Sequence, residues 1–268
     1  MTYKKWRNSI MSKRFVCAVL LLAMLLSLVI PSLVFEAHAA EEGETASGSV
    51  HHADENAPDL EDPERIREVE KTNAEIEQYM LNKSMMCSGG GNAVSITARK
   101  QTGDSYCGPA CVQMVVEALT GTLYSQDTLA NSMGTDSSGT YVYAVTNELN
   151  YRIGSGTYEY VGTWESTFGN SLVYSIDKGK PMVCHLMTGT LDPYVKYYNE
   201  TGISKDNGHF VAAYGYSGGA TGATGSGTCY YADPSNVENG KFFGKFATSI
   251  ESMITSINRN AGYYIRGK

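Results

Sequence analysis

Partway along this 268-residue chain the apolar period changes, and that change limits the folds open to it. Up to about residue 178, apolar positions recur at helical spacing; beyond it they fall in short runs rich in β-formers, separated by glycine-rich turns. Helices are expected over 108–120, 126–133, the segment "YVYAVTNELNYR" from Tyr141, and 164–178. Strands are expected in "KPMVCHLMTG", "HFVAAYGYSG", "TCYYADP" and "GYYIRGK". A helical half followed by a small antiparallel sheet is an α+β architecture. Residues 93–268 are long enough for one domain with its own core, and no internal repeat divides them.

The N-terminal third has another character. Residues 1–40 read as a secretory signal: Lys4, Lys5, Arg7, Lys13 and Arg14 precede the apolar run "FVCAVLLLAMLLSLVI", and "AHAA" offers cleavage after Ala39 or Ala40. An uncleaved anchor is the alternative, although the run is shorter than the roughly 20 residues of a spanning helix. Residues 41–92 form an acidic linker carrying one amphipathic helix, with Asp62 as cap and Pro63 at the first helical position. That helix is expected either to brace the following domain or to cover a cleft as a pro-segment. His51 and His52 lie in the linker as part of a solvated tail, and the "SGGG" run before the domain reads as a hinge.

Residues 41–91 hold 13 acidic and 4 basic side chains, whereas residues 92–268 hold 14 and 12. An acidic chain of this kind is ill suited to nucleic acid or an anionic membrane surface. The chain is expected to be exported and then secreted or cell-wall associated, free of the membrane after signal cleavage, and to work as a monomer. Beyond Cys17 in the signal there are five cysteines, Cys87, Cys107, Cys111, Cys184 and Cys229. The odd number points to one reactive or intermolecular thiol; the other four are open to pairing or reduction.

"QTGDSYCGPACVQMVV" singles out which thiol. Pro109 suits a first helical turn, so a helix starts at Cys107 or just after it. A helix N-terminus favours negative charge and hence a thiolate. Cys111 lies a turn further in, among Val112, Val115 and Val116, and is assigned to packing. Gln101 could aim an amide donor at a developing oxyanion, with the Cys107 backbone N–H as the second donor. The base must be His185 or His209. His185 sits mid-strand as a core or rim residue, whereas His209 begins a strand after a turn. A hairpin centred near residue 221 would set His209 opposite Asp233, whose carboxylate could orient the imidazole; Asn236 is the second choice for that place.

Taken together, "QTGDSYCGPAC", "KGKPMVCHL", "GHFVAAYGY" and "CYYADP" resemble the papain-like cysteine peptidases of the bacteriocin-processing, double-glycine type, and more narrowly their free-standing secreted relatives. The resemblance runs from about Thr97 to Lys268. It implies Cys107 as nucleophile, His209 as general base, Asp233 as orienting residue and Gln101 in the oxyanion hole, acting on a peptide or protein without metal or organic cofactor. The chain has no phosphate-binding "GxxxxGK[ST]" motif and no transmembrane bundle, so an exporter's role does not follow, and neither does double-glycine specificity. Transpeptidation, cell-wall amide hydrolysis and non-catalytic peptide binding are the alternatives.

Overall fold

The computed structural model describes residues 60–85, 90–202, 206–218, 227–236 and 241–268. The signal, the acidic linker up to residue 59, Cys87 and the hairpin loop 219–226 lie outside the described residues. In chain order the elements are α1 (Pro63–Met85), β1 (Asn92–Ala93), α2 (Cys107–Thr120), α3 (Gln126–Met133), α4 (Val142–Ile153), β2 (Tyr158–Gly162), α5 (Phe168–Asp177), β3 (Met182–Met187), α6 (Asp192–Thr201), β4 (Gly208–Ser217), β5 (Thr228–Asp233), β6 (Gly244–Ser249), α7 (Ile250–Asn258) and β7 (Tyr263–Gly267). The seven strands form an antiparallel sheet in the order β2-β7-β3-β4-β5-β6, with β1 paired to β4.

Strand alternation divides the core in two. Val183, Phe210, Ala212, Ala232 and Ile265 pack with α2, α3 and α4 on one face of the sheet. Cys184, Val211, Ala213, Tyr231 and Tyr264 pack with α5, α6 and α7 on the other. α2 is buried on every side from Cys107 to Val116, which explains its almost wholly apolar sequence. It stops at Gly121, whose φ of 74° lets its N–H return to Glu117 O at 2.9 Å.

Four departures from the periodicity reading have local causes. The helix expected from Trp164 begins only at Phe168, because residues 162–167 close a turn. There Glu165 N and Ser166 N donate to Gly162 O, and Gly162 N donates to Glu165 Oε2. The polar stretch 187–208 contains α6, whose buried face is Tyr194 and Tyr197, one turn apart. Its punctuation was present: Asp192-Pro193 at the start and Gly202, with φ 66°, at the end. β2, β6 and α7 also add to the expected set. Finally, the hairpin register differs by two residues: Ala212 faces Ala232 and Ala213 faces Tyr231, so Asp233 is diagonal to His209 rather than opposite it. A β-bulge between Ala213 and Gly215 inserts Tyr214 and shifts the pairing beyond it.

α1 starts where its cap predicts, with Asp62 Oδ1 accepting from Glu64 N at 2.9 Å. It packs on α5 and buries Val69 and Ile76. Arg65 pairs in bidentate fashion with Glu165 at 2.9 and 3.0 Å. Arg266 of β7, fully buried, joins Asn73 Oδ1 at 2.8 Å, the Val69 carbonyl at 3.3 Å and Glu159 at 2.8 Å. At the far end Lys83 meets Asp177 and Tyr216. A buried guanidinium without these partners would be costly, so α1 is tied into the fold by charge as well as by apolar area. These bonds lie on the α5 side of the sheet, whereas Cys107 belongs to the α2 side.

Candidate active site

Cys107 is the first residue of α2 and is buried. Tyr106 before it gives no side-chain cap, so the first-turn N–H groups are left facing the thiol end of the helix. Gly108 is glycine for a steric reason: a Cβ there would sit 2.9 Å from Thr140 Oγ1 and 3.0 Å from Thr140 Cβ. The loop before α4 therefore closes tightly over the start of α2, and Ser105 Oγ donates to Ser137 O across the same gap at 3.2 Å.

His209 stands at the start of β4, paired with Leu186 of β3. Its Nε2 is 2.8 Å from Asp233 Oδ1, and the Cys107 thiol is near enough to bear on its protonation. Despite the two-residue register difference the carboxylate reaches the ring, because His209 and Asp233 lie on the same face of neighbouring strands. Asp233 is fully buried. Burial disfavours the imidazolium, but the Asp233 charge and hydrogen bond, reinforced by Cys107, outweigh it and raise the His209 pKa well above its ordinary 6.5. With Nε2 engaged by the carboxylate, Nδ1 is the nitrogen left for sulfur.

The carboxylate has further donors that the sequence did not disclose. Tyr194 of α6 donates its hydroxyl to Asp233 Oδ2 at 3.0 Å, and Ser235 N donates to Oδ1 at 2.9 Å. Tyr194 stacks on Phe242 with ring centroids 4.2 Å apart and meets His209 edge-on at 6.4 Å. Burial first, and the Asp233 charge next, push its phenol up, so it stays a donor. Its only sequence signal was a tyrosine in the first turn of a proline-started helix.

Gln101 is buried and tied to the same corner: its backbone N–H donates to Pro234 O at 2.7 Å. Its Nε2 lies 2.9 Å from Gly103 O and 3.0 Å from Asp104 O. Two acceptors match the two N–H groups of an amide, so an oxyanion reaching this nitrogen would compete with a loop carbonyl for a proton. Asn236 faces Asp104 instead of the imidazole, with Nδ2 at 3.4 Å from Oδ1. His185 is buried and stacked on Phe210, centroids 4.4 Å apart. Cys111, Cys184 and Cys229 are buried free thiols, and burial raises the pKa of each, that of Cys229 to about 12. Among the described residues, no cluster of three or more His, Cys, Asp or Glu side chains could hold a metal ion.

The sequence from 93 to 253 matches the profile of the peptidase C39-like family. The chain belongs to that family. The matched stretch takes in Gln101, Cys107, His209 and Asp233, and membership supports reading the protein as a cysteine peptidase. It leaves α1 and β7 outside. Among solved structures, the chain is similar to the peptidase domain of Streptococcus ComA, described as a bi-functional ABC transporter involved in quorum sensing. That likeness is 17% identity over 64% of this chain and 98% of that one, with a TM-score of 0.39. A double-glycine motif protease from an AMS/PCAT transporter, solved with its leader peptide, shows 14% identity over 66% and 95%, TM-score 0.38. A recombinant stem bromelain precursor shows 12% identity over 65% and 67%, TM-score 0.42. No curated protein matches the sequence.

Proposed function

We propose that this C39-like protein is an exported, papain-like thiol hydrolase that cleaves amide bonds in peptides through Cys107, His209 and Asp233. The observation carrying the proposal is the pair of Asp233 Oδ1 and His209 Nε2 at 2.8 Å, with the Cys107 thiol at the start of α2 near enough to bear on the imidazole. The raised imidazole pKa keeps a proton on His209, ready for the leaving amine. In the proposed cycle the thiolate attacks the carbonyl carbon, and the electron pair moves to oxygen. The Cys107 N–H, with a proton of Gln101, stabilises that oxyanion. His209 then gives its proton to the leaving amine, leaving an acyl-enzyme. Water, deprotonated by His209, attacks the thioester and releases the acid, and the thiolate is restored.

Export rests on the basic start, apolar run and "AHAA" of residues 1–40, with release after Ala39 or Ala40. The proposal expects Cys107→Ala and His209→Ala each to abolish cleavage of an unbiased peptide library, and Cys111→Ala to keep most of it. A Cys107→Ala protein that still hydrolyses peptides would sink the mechanism.

A further inference from the structure

We infer that the groove between α1 and the turn before α5 binds a neutral saccharide, with Trp164 as its stacking platform. The groove holds about 250 Å³, below the roughly 300–1,000 Å³ of drug-sized sites, and so suits one sugar ring with its neighbours in solvent. Trp164 is 65% exposed yet firmly seated. Its indole lies against two glycines: a Cβ at Gly162 would come within 2.5 Å of the ring and one at Gly262 within 2.8 Å. Tyr263 supports it edge-on, with centroids 5.0 Å apart. The turn that presents it is held at Thr163 N by Gly262 O and at Glu165 by Arg65. A rigid turn that displays an indole to solvent is a preorganised apolar surface.

The polar lining divides into groups already committed and groups left over. Asn73, Glu165 and Ser166 are engaged with one another's elements and with Arg266. Glu77, Thr167 and Asn170 also line the groove, and among the described residues their side chains make no hydrogen bond. They supply a carboxylate acceptor, a hydroxyl and an amide, which can serve hydroxyl groups in both directions. A pyranose offers a C–H face for the indole and a rim of hydroxyls for those three. An apolar peptide would leave them desolvated without partners. An anion would meet Glu77, while a cation would find Glu165 already balanced by Arg65 and Arg266 and only the single exposed carboxylate of Glu77 to hold it.

The chain has two tryptophans, so in the full chain carrying Trp6→Phe the intrinsic fluorescence reports Trp164 alone. Titration with chitotetraose, cellotetraose and maltotetraose should give, for at least one, a saturable blue shift. Thr167→Ala and Asn170→Ala should each weaken that binding roughly 5- to 10-fold, the effect of a lost hydrogen bond. Adding Cys107→Ala should leave binding unchanged, which separates this site from the proposed peptidase chemistry. No saturable change with any of the three tetrasaccharides, or equal binding by both polar variants, would overturn the inference.

Discussion

The Tyr194 hydroxyl lies 3.0 Å from Asp233 Oδ2 and donates to it, on the oxygen that His209 leaves free. The carboxylate is thereby held at both oxygens in a fully buried position. Under the proposed mechanism Tyr194 is a positioning residue: it acts on the imidazole only through Asp233. Tyr194→Phe keeps the stack on Phe242 and removes the donor. Peptide hydrolysis should show kcat reduced about 5-fold with KM unchanged, the size of one hydrogen bond. An unchanged kcat would mean that the bond does not set the carboxylate.

Asp233→Asn keeps the shape of the side chain and removes the charge that raises the imidazole pKa. Alkylation of Cys107 by iodoacetamide, followed against pH, should move to a higher midpoint. Peptide hydrolysis at neutral pH should fall about 10²- to 10⁴-fold. Asn236→Ala should leave both readouts close to wild type, since its amide faces Asp104.

His209 also makes stability depend on pH. Its folded pKa lies above the unfolded 6.5, so the charged ring contributes stability fully below about pH 6.5. That contribution is lost as pH rises through the raised folded value. The urea midpoint of wild type minus that of His209→Gln should therefore be largest near pH 6 and smaller at every step toward pH 10. A difference that grows with pH would contradict the sign.

Gly108→Ala tests the closeness of Thr140. In an ordinary helix this change gains about 1 kcal/mol. Here the new methyl would meet Thr140 at 2.9 Å, so a net loss of about 1–3 kcal/mol in urea denaturation is expected. The alkylation rate of Cys107 should fall as well, because the start of α2 must shift to make room.

A chain beginning at Gly90 tests whether α1 covers a cleft or braces the domain. Without α1, Arg266 loses Asn73 and the Val69 carbonyl, and α5 loses Val69 and Ile76. The shortened protein should unfold at least 3 kcal/mol more easily and be no more active. Higher activity would favour a pro-segment.

The α+β division, the start of α2 and the cap of α1 were legible because each is a local signal: a period, a proline, an aspartate. α6 was hidden because its buried face is made of tyrosines, which read as polar within "DPYVKYYNETG". The register of β4 on β5 was misread by two residues at His209 because the glycine-rich sequence between the strands does not fix where the hairpin centres; the bulge at Tyr214 then changes the pairing by one residue. Cys107 was singled out by the proline that marks a helix start, and His209 and Asp233 by the turn and hairpin that bring their strands together, whereas Gln101 stood on its spacing from Cys107 and on the family resemblance. Tyr194 and Thr140 could not be picked out, since their parts depend on which distant residue they approach.

Cys107, Cys111, Cys184 and Cys229 are all buried and all free. In oxidising surroundings the fold is what keeps these sulfurs apart. A molecule that opens even once exposes them together, and wrong pairings can form faster than the chain recloses. The working lifetime of the protein would then be governed by how often it opens, and a mild reductant in the medium should turn irreversible heat inactivation into a reversible transition.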